Sequence, residues 1–136
     1  MDFQDRKKQA EAQWGRHLCC SESVMLCLLQ DMECDEARAR DLVRAMGAFC
    51  GGMGEGLLCG ALAGGVAAMY VAVDDYRQAK EELRPEIAAW FRERFGSTEC
   101  ADILEGDDTR IFTLCPGIMA EVYEKVRDVL EDAGAL

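Results

Sequence analysis

The sequence is poor in proline, histidine and basic residues, and each shortage removes a class of explanation. Only two prolines occur in 136 residues, so little interrupts helices. His17 is the sole histidine. That leaves no material for a zinc enzyme built on several histidines or for a Cys-His protease, and alone it reads as a surface or packing residue. Lysine and arginine number 15 against 26 aspartates and glutamates, a net charge of −11. A chain that acidic repels phosphate backbones and anionic lipid, so neither nucleic acid nor a membrane surface is expected as a partner. The sequence has no CxxC, no CxxCH and no GxxxxGK[ST]. Zinc ribbons, thioredoxin-type pairs, c-type haem attachment and nucleotide-phosphate loops are thereby unsupported. The charged start MDFQDRKKQAEAQW contains no apolar run. No secretory signal is expected, and a reducing, cytoplasmic location is. The uncharged run from Leu57 to Val73 is seventeen residues long and is closed by Glu55 and Asp74-Asp75. A spanning helix needs about 20 apolar residues, so the run predicts a buried central helix and a protein that is not membrane-embedded.

What remains is a globular composition, with half the residues hydrophobic and 30% charged. One domain over residues 1–136 is expected, with a single core. Apolar spacing predicts an all-α bundle of five to six helices around a central Gly-rich helix. A helix over 3–18 presents Phe3, Ala10, Trp14 and Leu18. A second starts near Cys20 with Val24, Met25, Leu28 and Leu29 inward. Asp35 caps a third, carrying Ala39, Leu42, Val43 and Met46 and ended by glycines. A helix from Tyr76 to Phe95 is expected, in two pieces if Pro85 breaks it. Ser97 is expected to cap a short helix through Leu104. Ile111–Leu114 reads as a short extended piece, and the last helix is expected to open at Pro116.

Two features carry the chemistry. Gly52, Gly56, Gly60 and Gly64 recur every four residues. From Gly56 onward they would form a bare stripe on one helix face, at which another backbone or a bulky cofactor can approach closely. The second feature is cysteine: eight, at 19, 20, 27, 34, 50, 59, 100 and 115. This falls below the roughly 8–10% that marks a disulfide scaffold, and a core of this size needs no staples. Cys20, Cys100 and Cys115 fall at expected helix starts, where free N–H groups and the helix dipole favour a thiolate. Cys115 is accordingly expected to be the most reactive thiol in metal-free protein. Cys59 is expected inside the Gly-striped helix, beside Gly60.

Four segments in order complete the pattern: Cys20-Ser21-Glu22-Ser23-Val24, Phe49-Cys50-Gly51-Gly52-Met53-Gly54, Cys59-Gly60-Ala61-Leu62-Ala63-Gly64, and Phe95-Gly96-Ser97-Thr98-Glu99-Cys100 followed by Cys115. Over roughly residues 15 to 130 the chain resembles the redox-active family named for its C_GCAxxG_C_C pattern, with its CGAxxG motif. The resemblance implies a small helical protein whose four family cysteines are Cys20, Cys59, Cys100 and Cys115, often encoded near transporter genes. A related segment occurs in split-Soret-type cytochromes, which implies an iron–sulfur cluster. Cys50 departs from the pattern, since the family usually has glycine there. Cys19, Cys27 and Cys34 are also extra; these four read as packing residues or alternative ligands.

The expectation is a four-cysteine redox site in which Cys20, Cys59, Cys100 and Cys115 hold a 2Fe–2S or 4Fe–4S cluster, with Gly60 and Gly64 allowing close approach. Four cysteines also suit zinc. A metal-free thiol/disulfide protein cycling two of the four, and a helical adaptor associated with a transporter, stand as alternatives. A redox partner protein, a transporter component and a second copy of the chain are the partners in view.

Overall fold

The computed structural model describes residues 2–136, and among them helices account for nearly all regular structure. The order is α1 (Phe3–Trp14), α2 (Cys20–Asp31), α3 (Glu36–Met46), α4 (Gly60–Ala72), α5 (Tyr76–Gln78), α6 (Arg84–Phe95), α7 (Cys100–Ile103) and α8 (Ile111–Asp132). The protein is all-α. One isolated antiparallel bridge, Leu58 to Glu99, is the exception among the described residues.

Local signals explain most boundaries. The Asp2 carboxylate accepts from the Asp5 N–H and starts α1, and Gly15 ends it in a left-handed conformation. The helix therefore stops at Trp14, short of Leu18, which is nonetheless buried. Asp35 caps α3 through the Arg38 N–H, as the sequence predicts. α5 and α6 form one helical path through a π turn at Ala79–Leu83. Pro85 falls in the first turn of α6, where its missing N–H removes little, so the chain is rearranged and not broken. α7 starts two residues later than expected: Glu99 is the cap residue, and Ser97 instead accepts the Glu99 N–H.

Two expectations fail. Ile111–Leu114 is not extended but forms the first turn of α8, so Pro116 lies inside that helix and does not open it. The cost is one backbone bond, the Phe112 carbonyl losing its partner at Pro116; Phe112 is on the surface, where water can serve that carbonyl. The Gly stripe is also shorter than its spacing suggests. Gly52 and Gly56 lie in an irregular loop with φ of 63° and 71°, and the helix begins only at Gly60.

α2 is the centre of the fold. Every residue from Ser21 to Leu29 is buried, so all its faces need a neighbour. α4 packs closest. A Cβ at Gly60 would lie 2.5 Å from Cys20 Sγ and 2.8 Å from the Phe49 carbonyl oxygen. A Cβ at Gly64 would lie 3.1 Å from Ser21 Cα and would overlap the Ser21 carbonyl oxygen. Gly65 faces Val122 and Val126 of α8. The buried hydroxyls of α2 are satisfied: Ser21 donates to the Met46 carbonyl at 2.7 Å, Ser23 to the Leu18 carbonyl at 3.3 Å. At the far end, Asp31 is held by Arg6, Tyr123 and Arg127.

Glycines in this fold should divide by what faces them. Gly64→Ala forces its methyl into the α2 backbone and should cost about 1–3 kcal/mol, and Gly60→Leu should be at least as damaging. Gly117, inside α8 with open space around it, should gain about 0.5–1 kcal/mol as Ala. Thermal melts of the three variants check this; an unchanged midpoint for Gly64→Ala would contradict the close approach.

Candidate functional site

Four elements deliver four cysteines to one cavity. Cys20 is the first residue of α2, Cys59 caps α4, Cys100 is the first residue of α7, and Cys115 lies in the second turn of α8. The sequence places Cys59 inside a helix; the late start of α4 moves it to the helix end. Cys115 makes the opposite move, because α8 starts at Ile111. A short backbone pairing fixes the middle of the site. The Cys59 N–H donates to the Thr98 carbonyl at 2.8 Å and the Cys100 N–H to the Leu57 carbonyl at 2.6 Å. Cys59 and Cys100 therefore sit on two paired strands of loop, a juxtaposition that no local pattern announces.

The cavity has a volume of about 340 Å³, and all four of these cysteines line it. Leu18, Ala61, Ile118 and Met119 make its apolar wall, and Lys7 and His17 also face it. His17 is otherwise a surface residue, with Nδ1 2.7 Å from a Glu11 carboxylate oxygen. The sulfurs are spread around the wall: among the described residues, no three of the four come mutually within 4.8 Å.

Burial sets the protonation of these groups. It pushes the Cys59 thiol up to about 12, although the N–H groups of Leu62 and Ala61 pull the other way. No cap hydrogen bond of good geometry forms there, so the helix end offsets only part of the desolvation. Burial also raises Cys115, to about 11, and Cys100. Neighbouring thiols add to each shift. Cys20 and Cys100 oppose ionisation of Cys59 and Cys115, and Cys20 opposes that of Cys100. These sulfurs are thus within each other's electrostatic reach. The ground for a reactive Cys115 is lost: it does not open a helix but lies within α8, and partial burial in an apolar wall disfavours its thiolate.

A family model described as "Putative redox-active protein (C_GCAxxG_C_C)" matches residues 18–129. The chain belongs to this family. No curated protein and no solved structure gives a significant match. The four cysteines that the resemblance assigns to the pattern all line the cavity, where Cys19 joins them, and the glycine that follows Cys59 is the one against Cys20 Sγ.

The extra cysteines have other fates. Cys27 is in the core, and burial raises its thiol to about 12. Cys34 is half-buried. Cys19 and Cys50 form a disulfide, with Cα atoms 5.8 Å apart, which the sequence reading did not foresee. The reason is topological: the turn after α3 returns Cys50 to the start of α2, and residues 31 apart carry no local sign of that. A Glu22 carboxylate oxygen lies within 4.8 Å of both sulfurs. The sulfurs are spent on each other, and Glu22 is engaged by Arg16 at 2.7 and 3.1 Å and by the Cys19 N–H at 3.2 Å. This group is a disulfide with a paired carboxylate beside it, not a ligand set.

Burial raises the Glu22 pKa, but the Arg16 guanidinium and the Cys19 N–H outweigh it and hold the carboxyl below its ordinary 4.5. A depressed folded-state pKa stabilises above the unfolded value and is lost as pH falls through the folded one. Glu22→Gln should therefore cost about 1.5–3 kcal/mol at neutral pH, toward the low end because Arg16 is half exposed. Urea unfolding at pH 7 and at pH 3 should show that gap shrinking in acid. For the thiols, metal-free protein should alkylate Cys115 slowly at neutral pH, the rate rising about tenfold per pH unit towards pH 11. Peptide mapping after timed labelling measures this, and rapid labelling at pH 7 would contradict the burial argument.

Proposed function

We propose that Cys20, Cys59, Cys100 and Cys115 together hold an iron–sulfur cluster, and that the protein works in electron transfer or redox sensing. The observation that carries this is the arrangement of the four family thiols around one apolar cavity. Their spacing favours a multi-iron centre over zinc. Four sulfurs on a single zinc ion, at about 2.3 Å each, would approach one another to roughly 3.8 Å. A wider centre accommodates sulfurs that lie further apart. Such a cluster supplies reversible one-electron chemistry when bound.

The chain's own residues do the rest. Gly60 leaves room for the Cys20 sulfur. Leu18, Ala61, Ile118 and Met119 give the donor set an apolar wall, which lowers the local dielectric. Binding requires each thiol to lose its proton, so the raised Cys59, Cys100 and Cys115 make loading release protons and weaken as pH falls. The Cys19–Cys50 disulfide leaves all four donors free. A cytoplasmic location, on the strength of the charged N-terminal sequence, and a redox partner protein or transporter component, on the strength of the family resemblance, complete the reading.

Anaerobic reconstitution with iron and sulfide tests it. Visible charge-transfer absorption with bound iron and acid-labile sulfide is expected. Cys59→Ser or Cys115→Ser should abolish or grossly weaken loading, whereas Cys34→Ser should leave it unchanged. Colourless protein that takes up one zinc per chain through the same four residues would overturn the cluster reading.

A further inference from the structure

We infer that Cys19 and Cys50 form a second redox centre, which exchanges two electrons with an external dithiol and whose state controls how firmly the glycine loop holds the walls of the four-thiol cavity. The inference goes beyond the proposed cluster and does not depend on what the cavity contains.

Position is the first ground. The bond joins the cap residue of α2 to the residue that closes the turn after α3 and opens the loop at Gly51. Its chain neighbours meet at one point: Cys20 Sγ and the Phe49 carbonyl oxygen both abut Gly60. The loop that starts at Cys50 runs on through Gly56, packed on Ala101, to the backbone pairing of Cys59 and Cys100. The disulfide therefore ties the helix end bearing Cys20 to the segment that carries Cys59 and braces Cys100. Cys19 and Gly51 themselves line the cavity.

Access and accommodation are the second ground. Cys19 and Cys50 are both half-buried, so an external thiol can reach the bond, unlike Cys27 or Cys59. Polar groups await the reduced pair. Ser21 Oγ lies 3.4 Å from Cys19 Sγ and 3.8 Å from Cys50 Sγ. Its proton is given to the Met46 carbonyl, which leaves its lone pairs for an S–H donor. A Glu22 carboxylate oxygen lies within 4.8 Å of both sulfurs.

The exchange balances with a dithiol as the reductant. Its thiolate attacks one sulfur of the pair, the Cys19–Cys50 bond breaks as the mixed disulfide forms, and the other cysteine leaves as thiolate and takes a proton. The second thiol of the reductant then attacks the mixed bond, gives up its proton, and departs as a cyclic disulfide. The protein gains two electrons and two protons, and the reductant loses the same.

The test uses the full metal-free chain, air-oxidised or treated with dithiothreitol under native conditions. The first readout is alkylation with fragment-resolved mass mapping, the second hydrogen exchange at the Cys59 and Cys100 amides. Reduction should expose Cys19 and Cys50 together in one two-electron step, reversed by oxidised dithiothreitol. It should speed exchange at those two amides by about tenfold, since a released loop opens more often. The Cys19→Ser/Cys50→Ser double variant should show the fast exchange whether or not dithiothreitol is present. A bond that yields only after denaturation, pairing of Cys50 with Cys20 in the oxidised chain, or amide exchange indifferent to redox state would each overturn the inference.

Discussion

The contact on which the rest of the molecule depends is the seating of the bare first turns of α4 against the first turn of α2. Gly60 and Gly64 carry no side chain where Cys20 Sγ and the Ser21 backbone press against them. Packing at that distance brings two helix ends, and the thiols at them, into one place. It also decides the partners of everything around it. Because α2 is buried throughout, α8 must cover what α4 leaves, and Val122 and Val126 do so against Gly65. The short pairing of residues 57–59 with 98–100 then carries Cys100 to the same cavity.

Eight cysteines in one small domain separate into distinct physical classes. Cys27 behaves as a small hydrophobe, its thiol held protonated by burial. Burial and neighbouring thiols raise Cys59, Cys100 and Cys115, a balance that a bound cation would reverse. Cys19 and Cys50 sit in more polar surroundings, with Ser21 and the Arg16-paired Glu22 beside them. The proposed cluster and the proposed disulfide exchange thus draw on different residues, although Cys19 and Cys20 are adjacent in the chain.

Much of the fold was legible because helix-forming information is local. The apolar spacing of 24–29 and 39–46 and the Asp35 cap depend on residues within a turn or two of each other. The errors have a common source. Pro116 is a good first-turn residue by preference, yet the preceding turn is helical because it packs Leu114 and Cys115 against the core, which outweighs one lost hydrogen bond. The glycine periodicity ran through Gly52 and Gly56, but those positions adopt left-handed backbone that no helix permits.

The sequence by itself determined the helical class and the family pattern; each of these is a matter of residue type and short spacing. Only the tertiary structure decided that Cys59 and Cys100 lie on paired backbone, that Cys115 is a half-buried wall residue inside α8 and not a helix start, and that Cys19 bonds Cys50. Those outcomes depend on how tightly helices approach, and that is set by the absence of atoms at Gly60 and Gly64 and by the path of a loop. The glycine spacing shows in the sequence, but what packs against it does not, since the groups that meet lie far apart along the chain, Cys19 and Cys50 by 31 residues.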